Sequence, residues 1–143
     1  MMLLDPGKSL CKPHQTLIVS KDKGEPRQHR AINPSGINLV RHYRLDGDLV
    51  LKQECCDFLR LNDSRHRAYY IELKGRHIDK AVSQLLAAEK ICRPELIGYT
   101  SYFRIVASKS PTHKNLPKKY RDLPALVGRE RLICKTNILE ETL

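Results

Sequence analysis

The chain has 143 residues, with 26 Lys and Arg against 16 Asp and Glu, a formal charge of +10 and a pI near 9.6. That length holds one domain with a real core and excludes two ordinary ones. The charge favours a polyanionic partner, nucleic acid first, because each neutralised phosphate releases condensed counterions.

The start, MMLLDPGKSL, has no basic n-region, so it does not read as a secretory signal. Residues 1 to about 35, with Pro6, Gly7, Pro13, Gly24, Pro26 and Pro34, read as a basic arm or irregular segment carrying one short strand at Leu17-Ile18-Val19. The core domain is expected over 36–143. From Ile37 apolar and polar residues alternate to Leu45, and Asp46-Gly47 supplies a turn, which predicts a hairpin onto Asp48–Leu51. A further strand is expected over Cys55–Leu61, then a polar turn at Asn62-Asp63-Ser64, then the strand AYYIELK closed by Gly75.

His77 to Cys92 carries Ile78, Ala81, Val82, Leu85, Leu86 and Cys92 at spacings of three and four, an amphipathic helix that Pro94 ends. YFRIVA at 102–107 and ERLICK at 130–135 are strand-like; between them lies a basic, proline-containing linker, and a polar tail follows. Strands, a crossover helix and further strands describe a single α/β (α+β) domain with a mixed central sheet. No apolar run approaches the roughly 18 residues of a membrane helix. Cys11, Cys55, Cys56, Cys92 and Cys134 are odd in number and form no CxxC pair, which fits reduced thiols in a cytoplasmic protein.

The stretch Ala68 to Gly75, AYYIELKG, puts a carboxylate and an ammonium in an otherwise apolar strand. Side chains alternate, so Tyr70, Glu72 and Lys74 share one face while Ile71 and Leu73 share the other, expected to pack under the helix. A buried unpaired charge costs several kcal/mol, so the Glu72 face should be a cleft with water, metal or ligand. The short Asn62–Arg67 connection makes the preceding strand antiparallel, which brings Asp57 beside Glu72. Two clustered carboxylates suit Mg²⁺ or Mn²⁺, with the Leu73 carbonyl as a third oxygen. Lys74 would then orient the attacking water or stabilise charge on a phosphodiester.

Asp57, then fourteen residues, then Glu72-Leu73-Lys74 resembles the Asp…(Asp/Glu)-x-Lys signature of the PD-(D/E)XK nuclease superfamily, which includes restriction endonucleases and Holliday-junction resolvases. The resemblance spans about residues 37 to 107 and implies a restriction-endonuclease-like fold and a Mg²⁺-dependent DNA endonuclease. It implies Asp57, Glu72 and the Leu73 carbonyl as metal ligands, Lys74 as the catalytic lysine, and Gln84 on the following helix as a contact to the site or to a phosphate. Cys56 stands where the family often has proline, and Ala88 stands where some members have tyrosine.

The basic residues Arg65 and Arg67 in the turn, and Lys118, Lys119 and Arg121 in the linker, are candidate phosphate contacts. The expected partner is nucleic acid, DNA before RNA, bound by a homodimer. A catalytically silent nuclease-fold module that binds DNA or RNA is the alternative.

Overall fold

The computed structural model describes residues 2–74, 77–108, 123, 126, 128 and 130–143, with the Lys74 side chain outside the description. Eight strands and one α-helix fall within them: β1 (Leu17–Lys21), β2 (Gln28–Ile32), β3 (Val40–Arg44), β4 (Phe58–Asn62), β5 (Arg67–Lys74), α1 (Ile78–Cys92), β6 (Thr100–Ala107), β7 (Leu132–Thr136) and β8 (Ile138–Thr142). They form a mixed α/β domain with a large sheet ordered β3-β4-β5-β6-β7 and a small sheet ordered β1-β2-β8. In the large sheet β3-β4 and β4-β5 are antiparallel, while β5-β6 and β6-β7 are parallel. A parallel step needs a crossover, and α1 supplies the one from β5 to β6. Among the described residues no helix is long and apolar enough to cross a membrane.

The expected helix, the AYYIELK strand and the strand over 102–107 are present with small changes at their ends. Three local expectations are corrected. The first 35 residues hold β1 and also β2. Leu4 is buried in the main core, and its N–H donates to Glu95 Oε1 at 3.0 Å, so this segment is not a loose arm. The partner of β3 is β4, not Asp48–Leu51: Val50 N donates to the Leu45 carbonyl at 2.9 Å, which folds that stretch into a tight turn, and Leu45 N goes on to the Asp57 carbonyl at 2.9 Å. The tail after ERLICK forms β8, which pairs in parallel with β2.

The outer edge of β3 is covered by the segment before β1, where Leu10 N donates to the His42 carbonyl at 2.6 Å and Val40 N to the Pro13 carbonyl at 2.7 Å. Covering an edge in this way removes a template for pairing with another chain. All five cysteines are free thiols.

Both faces of the large sheet are buried, and the face that takes the helix is the reverse of the expected one. Leu59, Leu61, Ala68, Tyr70, Phe103 and Ile105 pack with Ala81, Val82, Leu85, Ala88 and Cys92 of α1. Ile71 and Leu73 instead join Phe58 and Val106 against Leu139 of β8. Strand alternation separates the two sets, but when both faces are covered parity does not say which one receives the helix.

Between the two sheets lies a polar layer. Arg60 and Arg104 are buried, at 0% and 2% exposure. Arg60 Nη1 donates to His29 Nδ1 at 3.2 Å, which puts the His29 proton on Nε2, 2.6 Å from Glu141 Oε2. Arg104 grips the same carboxylate through Nε at 2.8 Å and Nη2 at 3.0 Å. Arg60 Nε and Nη2 have no hydrogen-bond partner among the described residues; the guanidinium instead lies 4.1 Å from the centre of the Tyr69 ring, whose face is electron-rich.

Candidate active site

The β4–β5 ladder ends with Phe58 opposite Ile71. One step further the strands exchange side chain for backbone: Asp57 N donates to Glu72 Oε1 at 3.1 Å, and Leu73 N donates to Asp57 Oδ2 at 2.8 Å. The expected meeting of Asp57 and Glu72 therefore occurs, on the face that carries Leu59 and Tyr70. A strand residue in a ladder sends its N–H and C=O to the same side, so the Leu73 carbonyl also faces the Asp57 strand.

Glu72 is 2% exposed. The amide of Gln84 on α1 satisfies its surroundings when its nitrogen donates to Glu72 Oε2 and to the Lys80 carbonyl, each at 3.2 Å. Gln84 thus holds the Glu72 carboxylate from the helix side. Burial pushes the Asp57 carboxyl above its usual range; the Leu73 N–H opposes this, and the charges of Asp22 and Asp46 reinforce it. Of the acidic residues near Asp57, Asp22 also pairs with Arg44 at 2.9 Å, and Glu54 accepts from Ser83 Oγ of the helix at 3.0 Å.

The chemistry of this donor set fits a hard divalent cation in part. Two carboxylates meet with the Leu73 carbonyl on the same side, and burial raises the Asp57 pKa by disfavouring its charged form, a cost that a bound cation would offset. Among the described residues, however, no group of three or more His, Cys, Asp or Glu side chains is arranged to hold a metal. Such a cation would keep most of its ligands as water, as Mg²⁺ commonly does.

Lys74 closes β5 two residues after Glu72, with its side chain outside the described residues; Lys118, Lys119 and Arg121 lie outside them altogether. Arg65 stands in the exposed turn between β4 and β5, where its N–H donates to Asn62 Oδ1 at 3.2 Å. Arg67 opens β5 opposite Thr100. Arg67 lies at the far end of the strand from Glu72, five residues away, or about 17 Å at ~3.3 Å per residue, with Arg65 in the turn beyond it.

Sequence reasoning passed over Arg60 and Arg104, although their signal matches that of Glu72: a charge inside an otherwise apolar strand, in DFLRL and YFRIVA. His29 and His42 are buried and hydrogen-bonded, to Glu141 and Ser20 respectively, as satisfied histidines. A separate groove of about 440 Å³ runs beside β3, lined by Pro6, Cys11, Pro13, Leu39, Arg41 and Asp63, and is formed by none of the carboxylates discussed above. Compared with protein-family models, curated proteins and solved structures, the chain finds no match in any of the three.

Proposed function

We propose that the protein is a divalent-metal-dependent nuclease acting on DNA, with a restriction-endonuclease-like arrangement of strands around its site. The observation that supports this reading is the reciprocal engagement of Asp57 and Glu72 across β4 and β5 with the Leu73 carbonyl on the same side. In this reading Asp57, Glu72 and the Leu73 carbonyl hold Mg²⁺ or Mn²⁺. The bound cation supplies Lewis acidity toward a phosphodiester and lowers the pKa of a water. The chain supplies the rest: Gln84 fixes the rotamer of Glu72, the Leu73 N–H fixes Asp57, and Lys74 stabilises negative charge developing on the phosphate.

A second reading, a nuclease-fold module that binds without cutting, has its own support. Each carboxylate accepts a backbone N–H where the ladder splays, a structural task that a silent descendant would retain. One experiment separates the two. Labelled single-stranded, duplex, nicked and four-way-junction DNAs, with RNA alongside, are incubated with wild type, Glu72→Gln and Lys74→Ala in Mg²⁺, Mn²⁺ and EDTA. Metal-dependent cutting lost in both variants supports the nuclease; binding by all three proteins with no cutting supports the silent module.

A further inference from the structure

The ten arginines with described side chains divide unevenly. Six are held by a carboxylate: Arg27 by Glu25, Arg30 by Glu140, Arg41 by Asp63, Arg44 by Asp22, Arg93 by Glu89 and Arg104 by Glu141. Arg60 is enclosed between the sheets. The remaining three, Arg65, Arg67 and Arg131, have no carboxylate partner among the described residues, and all three gather at one end of the large sheet. Arg65 and Arg67 belong to the turn into β5, and Arg131 immediately precedes β7, its carbonyl accepting from Phe103 N at 2.6 Å.

Two of them converge on one ring. The Arg67 and Arg131 guanidinium carbons lie 5.8 and 5.6 Å from the centre of Tyr102. Tyr102 is itself held by stacking on Tyr69 at 4.9 Å, and Arg131 is fixed by Nε donating to the Ser101 carbonyl at 2.6 Å. Like charges gathered at one ring repel, and cation–π attraction to a partly exposed tyrosine offsets only about 0.5–1 kcal/mol of that. Among the described residues the other surface arginines each meet an Asp or Glu, and Arg104, which also lies 5.7 Å from the Tyr102 ring, is held by Glu141; Arg65, Arg67 and Arg131 meet none.

We infer that Arg67 and Arg131 around Tyr102, with Arg65 in the adjoining turn, bind backbone phosphates of a DNA strand. This rests on the nucleic-acid part of the proposed function and not on the carboxylate pair. Tyr102 pairs with Tyr69 in register, so it occupies the face opposite Glu72, and Arg67 is about 17 Å along the strand from that residue. The contact therefore sets affinity and the length of the footprint rather than the chemical step. Guanidinium forks match phosphate geometry, which favours arginine over lysine for such a contact.

The test is fluorescence anisotropy of full-length protein with labelled 10- and 30-base-pair DNA duplexes in EDTA, across a salt series. The Arg67→Gln/Arg131→Gln double variant should bind more weakly and lower the slope of log K against log salt by about 1.8, at ~0.9 per phosphate contact. Arg67→Lys/Arg131→Lys should restore most of that slope, and Arg30→Gln/Arg93→Gln, which removes two carboxylate-held arginines, should leave it unchanged. Equal slopes for wild type and the glutamine variant overturn the inference, as does an equal fall in the Arg30/Arg93 control. Failure of the lysine variant to restore the slope also overturns it, since the arginines would then serve only packing. If Glu72→Gln loses cleavage or wild type never cleaves while these slopes still differ, the phosphate contact stands; absence of DNA binding by wild type removes both.

Discussion

On one face of the large sheet Leu59, Leu61, Ala68, Tyr70, Phe103 and Ile105 meet the apolar side of α1. On the other, Arg60, Arg104, His29 and Glu141 sit among Phe58, Ile71, Leu73 and Leu139. The first face is held by area removed from water, about 25 cal/mol per Å², and tolerates volume-conserving change. The second is held by mutual satisfaction of charges that are each costly alone. A single carboxylate there answers both Arg104 and His29, so its removal should cost more than its own contacts suggest.

The largest expected effect is therefore at Glu141. Glu141→Ala leaves two buried guanidiniums without a countercharge and should lower stability by about 3–5 kcal/mol, read as a reduced urea midpoint at unchanged slope. Losing no more than an exposed ion pair would, under about 1 kcal/mol, would show that the sheets are held by apolar area alone.

Acid should act next, and with opposite sign on the two faces. Burial, together with the nearby Arg60 charge, pushes His29 down to about 4 and His42 to about 3. Between pH 6.5 and those values the unfolded chain carries imidazole protons that the folded protein does not, so stability falls as the pH is lowered. For a shift like that of His29 the loss is roughly 3 kcal/mol. Glu141, held well below the usual carboxylate range despite its burial by hydrogen bonds from His29 and Arg104, adds a further loss as it is protonated. Asp57 opposes this trend: its raised pKa means that the folded state takes up a proton first, and lowering the pH through that range adds stability. A stability–pH profile that stays flat from pH 7 to 4 would count against the neutral assignment of both histidines.

Arg60→Met tests whether the second guanidinium is a structural need. Its Nε and Nη2 have no hydrogen-bond partners among the described residues, so an apolar replacement of similar length should be neutral or stabilising by about 1 kcal/mol. It should also flatten the acid limb, because the Arg60 charge depresses both histidines. The smallest effect belongs to the helix face: Asp57→Asn should raise the melting temperature slightly at neutral pH and lose that gain in acid. If the variant melts lower at pH 7, the carboxylate is a net stabiliser there and burial does not raise its pKa.

The elements that were legible carry their period on the inward side. In β5 and α1 the buried positions are mostly apolar, so spacing alone reveals them, and the Asp57–Glu72 meeting follows from one short turn. Of the small sheet, β1 shows through Leu17-Ile18-Val19, while β2 and β8 were hidden for the converse reason. In QHRAI and ILEET the inward residues are His29 with Ala31 and Leu139 with Glu141, so half of each buried face is polar and the alternation vanishes from a hydropathy reading. Arg60 and Arg104 were readable as charges in apolar strands, but only their partners, distant in sequence, show what they face.

The pairing of β2 with β8 joins residues such as His29 and Glu141, 112 positions apart. Contacts of such separation form late, because the loop must close before they return any stabilisation. The strands β3, β4 and β5, consecutive in the chain and antiparallel at each step, can assemble while β8 is still being made. Until it docks, the nascent sheet shows the solvent Phe58, Ile71 and Leu73 interrupted by the hydrated guanidiniums of Arg60 and Arg104. A late-closing face punctuated in this way is poor at sticking to another copy of itself, so the ionic layer that the finished protein buries also keeps its unfinished form soluble.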